Sequence, residues 1–373
     1  MTQRRLTVMQ LLPELEVGGV ERGTVEIARA LTAAGHRALV VSAPGRLVAE
    51  LTACGAEHIA LDIGAKRLAS LAHVPRLAHL YREHAVDIVH ARSRLPAWLG
   101  RLARRRLPAV ARPHWVTTVH GPYTVNAYSA VMVSGERVIA ISEFIRDYIL
   151  ANYPRVEPAR ITVIPRGVDA ARYHAGFRPD SAWRERVAAE CPHLAGKRLL
   201  VLPARLTRWK GQEDFLAVVA RVRAVRDDVH ALVIGGAHAK KPGYRAELEA
   251  LAARLGIADA VSFLGHRDDL REWLASAAIA YSLTDAPEAF GRTTVEALAL
   301  GTPVIGYDHG GTGEILARVY PAGRVPHRDV AAAAARTLEL LAAPVAVPHE
   351  QPYTVAALQA ATLAQYEALV SSP

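Results

Sequence analysis

Along the chain, short runs of β-branched and other apolar residues alternate with longer stretches whose apolar positions recur every three to four residues. The first pattern is that of a buried strand, the second that of an amphipathic helix. In the first part of the chain the pattern predicts strands over 6–12, 38–42, 58–61, 87–91, 116–120, 137–141 and 161–164, with helices over 23–34, 68–83 and 143–152. A polar stretch over 166–192, with prolines and aromatics and no clean period, interrupts the series. Beyond it, strands are predicted over 198–203, 230–234, 261–264, 279–282 and 303–306, with helices over 212–225, 244–255, 293–299, 329–342 and 354–369. Strands alternating with helices from end to end imply parallel sheets covered on both faces. The expected class is therefore α/β, as two successive doubly wound units. The first domain is expected over 1–165, the second over 166–352, and the helix within 353–373 is expected to pack back towards the first. Ligands of such sheets bind beyond the carboxyl ends of the strands, so two facing units would enclose one cleft.

Composition narrows the class. A chain of 373 residues is too long for one ordinary core, and 51% hydrophobic with 22% charged residues excludes disorder. Cys54 and Cys191 lie in no C-x-x-C pair, which excludes a disulfide framework and a Cys-rich zinc site. Each is expected to be a small buried apolar residue. No apolar run reaches about 18 residues, so no membrane-spanning helix is expected. Residues 1–15 lack a small-residue cleavage site and read as a first strand rather than a signal peptide, so the expected location is the cytoplasm.

Charge is unevenly spread. Residues 1–165 hold 21 Lys and Arg against 13 Asp and Glu, and the rest hold 24 against 23, so +8 of the net +9 lies in the first part. Such an excess attracts an anionic partner: membrane phospholipid, a phosphorylated glycolipid or nucleic acid.

Two segments carry candidate chemistry. The stretch 287–303, PEAFGRTTVEALALGTP, follows the strand 279–282 and opens a helix expected to be capped by Thr293 or Thr294 and to end at Gly301. A loop rising into a helix N-terminus offers backbone N–H groups to phosphate. Glu288 and Glu296 bracket that turn, and a carboxylate can accept hydrogen bonds from two vicinal hydroxyls of a sugar ring. The stretch 203–212, PARLTRWKGQ, follows the strand 198–203 and places Arg205 and Lys210 in one strand-to-helix loop, where two cations could clamp a diphosphate. Arg208 reads as a solvated cation. Asp268-Asp269 opens a helix after Gly265-His266 and reads as capping. No Asp-x-Asp triplet, the usual carboxylate pair for a nucleotide-bound divalent metal, is present.

Taken together these phrases resemble the retaining glycosyltransferases of family 4, which have the GT-B fold of two Rossmann-like domains. Glu288-x7-Glu296 with ALALGTPVI (297–305) and Gly310-Gly311, Arg205 with Lys210-Gly211, VIPRGVD (163–169), IAISE (139–143) and GGVE (18–21) all stand in the family's order. The resemblance implies that Glu296 binds the ribose hydroxyls of a sugar nucleotide and Glu288 the donor sugar. It implies that the amides of Phe290, Gly291 and Arg292, with Thr293 in the same donor-binding turn, hold sugar and phosphate oxygens. Arg205 and Lys210 would neutralise the diphosphate, and Gly18 and Gly19 would let backbone approach it or the acceptor. His120 matches the family's active-site histidine; on its own a histidine at a strand end is more often a satisfied structural residue. The implied reaction is a metal-independent, same-face displacement with no protein nucleophile and no cofactor; the nucleotide-diphosphate sugar is a co-substrate. Three positions depart from the family pattern: Gly121 after His120, Arg292 after Gly291, and Arg166 in place of Asn in the interdomain phrase.

The acceptor is expected to bind the first domain. Arg92, Arg94, Arg101, Arg104, Arg105, Arg106 and Arg112, interleaved with Leu95, Trp98, Leu99, Leu102 and Leu107, read either as a basic amphipathic helix on an anionic membrane or as a solvated face with its apolar side in the core. The charge imbalance favours a peripheral membrane enzyme with a saccharide or lipid-linked acceptor, of the kind used in lipopolysaccharide or other envelope glycan synthesis. Rival readings are a sugar-nucleotide epimerase or phosphorylase on the same scaffold, and a non-catalytic basic binding protein. The clustered carboxylates and cations argue against the epimerase, the chain length argues against a phosphorylase, and the lack of an aromatic reading surface argues against a nucleic-acid partner. The base of the nucleotide would be read by the loops 235–241 and 265–268.

Overall fold

The computed structural model describes residues 4–16, 18–236 and 243–371. The chain divides into two compact units, Met1–Arg166 with Val355–Pro373 and Gly167–Thr354. In the first, β1 (Thr7–Glu14), β2 (Arg37–Ala43), β3 (Glu57–Ala60), β4 (Ile88–Ala91), β5 (His114–Val119), β6 (Arg137–Ala140) and β7 (Ile161–Val163) form one parallel sheet in the order β3-β2-β1-β4-β5-β6-β7. These are the seven runs marked by the hydrophobic pattern. The crossovers carry α1 (Gly19–Ala33), α2 (Val48–Ala53), α3 (His73–Glu83), α4 (Arg94–Arg105) and α5 (Glu143–Asn152). Helix α1 buries Val25, Ile27, Ala28 and Leu31, the three-to-four spacing of one face, against Val8, Leu12 and Val40 of the sheet. The last helix, Val355–Ser371, belongs to this unit: Leu358, Tyr366 and Leu369 join the same core, and Gln359 Nε2 donates to the Glu26 carbonyl at 2.8 Å.

The second unit opens with α6 (Ser181–Glu190). Its strands β8 (Arg198–Pro203), β9 (Val229–Ile234), β10 (Val261–Gly265), β11 (Ile279–Ser282), β12 (Val304–Tyr307) and β13 (Arg324–Val325) form a parallel sheet in the order β10-β9-β8-β11-β12-β13. Its remaining helices are α7 (Gln212–Arg223), α8 (Tyr244–Arg254), α9 (Leu270–Ala275), α10 (Arg292–Ala299), α11 (Gly310–Val319) and α12 (Val330–Ala342). Strand order reverses between β1 and β4 in one sheet and between β8 and β11 in the other. At such a point the neighbouring loops diverge and leave a crevice above the carboxyl ends.

The structure corrects several expectations. Helix α6 lies in the stretch read as irregular; it has no apolar stripe and is set by the Asp180 carboxylate accepting from the Trp183 amide at 2.7 Å and by Trp183 packing on Trp273 at 5.1 Å. Helix α10 begins after Gly291 and has no side-chain cap from Thr293 or Thr294. Asp269 stands at the N-cap position of α9, yet its carboxylate accepts from Arg267 and from Trp183 Nε1 at 2.7 Å and makes no side-chain cap to the helix. Cys54 and Cys191 are half-buried, not core residues; Cys54 Sγ contacts the Leu51 carbonyl at 3.0 Å. Among the described residues no helix is long and apolar enough to cross a membrane.

Candidate active site

The reversal point of the second sheet gathers the charged residues of both motif segments. The loop after β8 carries Arg205 and Lys210, the loop after β11 carries Glu288, and Lys210 Nζ donates to Glu288 Oε1. Both side chains are largely buried. Lys210 Nζ also lies 4.2 Å from the Trp209 ring centre, a cation–π contact. Gly211, with φ +76°, turns the loop into α7; a Cβ there would sit 1.8 Å from the Leu283 carbonyl oxygen, so only glycine lets the two loops approach this closely. Gln212 Nε2 holds the Arg205 carbonyl at 2.9 Å, while the Arg205 side chain is exposed and, among the described residues, has no hydrogen-bond or ion-pair partner.

The second loop is pinned from behind by α11. The Gly311 amide donates to the Glu288 carbonyl at 2.8 Å, and a Cβ at Gly311 would meet Phe290 O at 2.3 Å. Phe290 packs edge-on against Tyr353 at 5.6 Å. Gly291, φ +101°, then launches α10, whose first N–H groups at Arg292 and Thr293 have no acceptor within the helix. The buried Glu296 accepts from Arg292 Nε at 3.1 Å. Tyr173 lies near this pair: burial, then the Glu296 charge, raise its hydroxyl above the ordinary value. The sequence offered no signal for Tyr173. Of the loops expected to read the base, residues 237–241 lie outside the described residues.

In the first unit, Gly18 is the N-cap of α1, and the Glu21 carboxylate folds over it, so that a Cβ would meet Glu21 Oε2 at 2.2 Å. A Cβ at Gly19 would meet nothing within 4 Å among the described residues. His120 follows β5 directly. Its Nδ1 is 2.7 Å from Arg166 Nη2, and its Nε2 is buried without a partner among the described residues. Arg166 itself is seated over Gly23 of α1. Beside it, Arg92, buried at 3% exposure, donates through Nε to Gln10 Oε1 at 2.7 Å, and Gln10 Nε2 donates to the Thr24 carbonyl at 3.0 Å. His90 lies between the Tyr366 hydroxyl and Thr118 Oγ1, each at 2.6 Å. Burial, with the charges of Arg92 and Arg166, holds both imidazoles well below their ordinary pKa. Gln10 and His90 were missed in the sequence; the signal that marks them is a polar residue inside an apolar strand, and their partners carry none.

The basic stretch is dispersed by the fold. Arg92 is buried, Arg94 stacks on Tyr123 and Tyr128 at 5.0 and 5.4 Å, and Arg104 donates to the Pro113 carbonyl and to Glu136. Pro96, Ala97, Leu99, Gly100 and Ala103 of α4 face the core, leaving Arg105, Arg106 and Arg112 exposed. Among the described residues no three His, Cys, Asp or Glu side chains converge as metal ligands.

Known proteins share the sequence pattern and the fold of the two units. Residues 17–172 match the model of Glycosyltransferase Family 4, and residues 185–351 match that of Glycosyl transferases group 1. A D-inositol 3-phosphate glycosyltransferase of Mycolicibacterium vanbaalenii is 29% identical over 329 residues, 82% of this chain and 70% of that protein. A glycosyltransferase structure from Rickettsia africae matches over 100% of both chains with a TM-score of 0.85 and 24% identity. Anabaena HepE in complex with UDP and glucose matches over 98% of this chain and 95% of its own, with a TM-score of 0.73 and 21% identity. The chain therefore carries a Glycosyltransferase Family 4 domain followed by a Glycosyl transferases group 1 domain, on the two Rossmann-like sheets of the GT-B fold.

Proposed function

We propose that this glycosyltransferase moves a hexosyl group from a nucleotide-diphosphate sugar to an anionic saccharide or lipid-linked acceptor, with retention of configuration and without a metal. The observation that carries the reading is the meeting of Lys210 and Glu288 at the reversal of the second sheet, beside the exposed Arg205 and the N-terminus of α10. Breaking the bond between sugar C1 and the diphosphate develops negative charge on the leaving group. Arg205, Lys210 and the amides of the turn into α10, at Phe290, Gly291, Arg292 and Thr293, would stabilise that charge electrostatically. Glu288 would orient the sugar and Glu296 the ribose hydroxyls. Gly18, Gly19 and His120 would contact substrate. The acceptor oxygen bonds to C1 on the face the diphosphate leaves, and its proton passes to the departing phosphate.

A uridine donor is favoured by the HepE complexes with UDP and UDP-glucose. A phosphorylated acceptor is favoured by the curated relatives, named for D-inositol 3-phosphate, and by the +8 of residues 1–165. We further propose an acceptor in lipopolysaccharide or other envelope glycan synthesis, met in the cytoplasm at the inner face of the membrane, with the exposed Arg105, Arg106 and Arg112 as the contact. Thermal-shift screening of UDP-, GDP- and ADP-sugars should show stabilisation by one class, about 2.7 kcal/mol at a hundred times its dissociation constant. Glu288→Ala and Arg205→Ala should each lower donor turnover by about 10²–10³. Undiminished turnover in both would refute the assignment. Absence of binding to anionic vesicles at low salt would refute the membrane contact.

A further inference from the structure

The hydrogen bonds around His120 leave its ring one tautomer. A guanidinium carries five N–H donors, has no acceptor and stays protonated in proteins. Arg166 Nη2, 2.7 Å from His120 Nδ1, is therefore the donor, and Nδ1 bears no proton. The neutral ring must then carry its proton on Nε2, which is buried and unpartnered. A second proton would have to enter between Nδ1 and a cation. Burial, Arg166, Arg92 and the neighbouring His90 all oppose it, and no carboxylate among the groups acting on the ring favours it. The Tyr123 hydroxyl accepts from the His120 backbone amide, at 3.3 Å. His90 is itself held between Tyr366 and Thr118.

We infer that Arg166 is a positioning residue: it presents His120 to substrate as a hydrogen-bond donor through Nε2–H and prevents the ring from acting as a base. The acceptor of that hydrogen bond is a hydroxyl or phosphate oxygen of a substrate. Only this last point rests on the transferase reading; the tautomer does not. The inference gives a physical meaning to the departure at 166. The asparagine common at this position can turn either its oxygen or its nitrogen towards Nδ1 and so permits both tautomers. Gly23 is part of the device, because a Cβ there would lie 2.0 Å from Arg166 Nη1 and displace the guanidinium.

The test is ¹⁵N-histidine NMR of the full chain without substrate, between pH 5.5 and 8.5, on wild type, Arg166→Lys, Arg166→Asn and Gly23→Ala. Wild type and Arg166→Lys, which keeps a donor at Nδ1, should show His120 protonated on Nε2 alone and not titrating. Arg166→Asn and Gly23→Ala should show mixed tautomers and a midpoint rising towards the ordinary value of about 6.5. In parallel, donor turnover should have a flat kcat profile in wild type. In Arg166→Asn it should be lowered above the new midpoint, where part of the neutral ring lacks Nε2–H, and recover below it, where the imidazolium carries a proton on both nitrogens, with KM little changed. A proton on Nδ1 in wild type, or the same titration in all four proteins, would overturn the inference. If no nucleotide sugar is turned over by any of them while the tautomers behave as expected, the transferase reading fails and the Arg166 lock stands.

Discussion

Gly211→Ala measures how much of the second unit's site depends on one close backbone approach, and Gly256→Ala supplies its control. Both glycines occupy the left-handed region, φ +76° and +69°. Any residue with a Cβ pays about 1–2 kcal/mol there. At Gly256, after α8, nothing lies within 4 Å of the added carbon, so that is the whole expected loss. At Gly211 the carbon would lie 1.8 Å from Leu283 O and 2.5 Å from Leu283 C, both backbone atoms. No side-chain rotation relieves this contact; the loop after β11 must retreat by about 1 Å or more to reach ordinary separation. Overpacking of this kind costs about 1–3 kcal/mol beyond the backbone term. Gly211→Ala should therefore lose about 2–5 kcal/mol in urea unfolding and Gly256→Ala about 1–2. The gap corresponds to about 2–12 °C in melting temperature for a unit of this size. Because the retreating loop carries Glu288, Gly211→Ala should also weaken nucleotide-sugar binding, which Gly256→Ala should leave alone. Equal stability of the two variants, or intact donor binding by Gly211→Ala, would refute the argument.

Gly19→Ala should leave stability within about 0.5 kcal/mol of wild type, since the added carbon meets nothing within 4 Å, while turnover falls if substrate approaches that backbone; calorimetry and a donor assay separate the two. Tyr366→Phe leaves His90 Nδ1 buried without its 2.6 Å partner and should cost about 1–3 kcal/mol in chemical denaturation. The Asp269 carboxyl, held at about 2 by hydrogen bonds from Arg267 and Trp183, contributes about 2 kcal/mol relative to its ordinary value of 3.8. Because its folded pKa is depressed, this contribution is complete above about pH 4 and lost as pH falls towards 2. The stability advantage of wild type over Asp269→Asn should shrink across that window, and an advantage independent of pH would contradict the assignment.

The two sheets, and the loops that bear the charged residues, were legible because each depends on local pattern. Apolar runs and their intervening helices set β1–β13 to within a few residues, apart from the two-residue β13. A loop leaving a strand's carboxyl end must carry whatever residues follow it, so Arg205, Lys210 and Glu288 could be placed near a crevice from order alone. Helices α6 and α11 were not legible. The first has a single buried residue, Trp183, and hence no period to detect, and the second begins with Gly310-Gly311, which local propensity disfavours. Tertiary contact overrides that preference, since Gly311 must pass within a Cβ's reach of Phe290.

Charge separates the two levels most clearly. The sequence determined that residues 1–165 carry an excess of arginine, and composition treats those side chains as equivalent. The tertiary structure divided them: Arg92 beneath α1 against Gln10, Arg94 against two tyrosines, Arg104 on Glu136, and Arg105, Arg106 and Arg112 on the surface. Likewise the sequence supplied His120 and an unexpected Arg166, 46 positions apart, and only the fold brought them to 2.7 Å. The physical reason is range. Helix and strand periodicity are written in residues a few positions apart, whereas burial of a charge and the hydrogen bonds that satisfy it depend on which strands lie side by side.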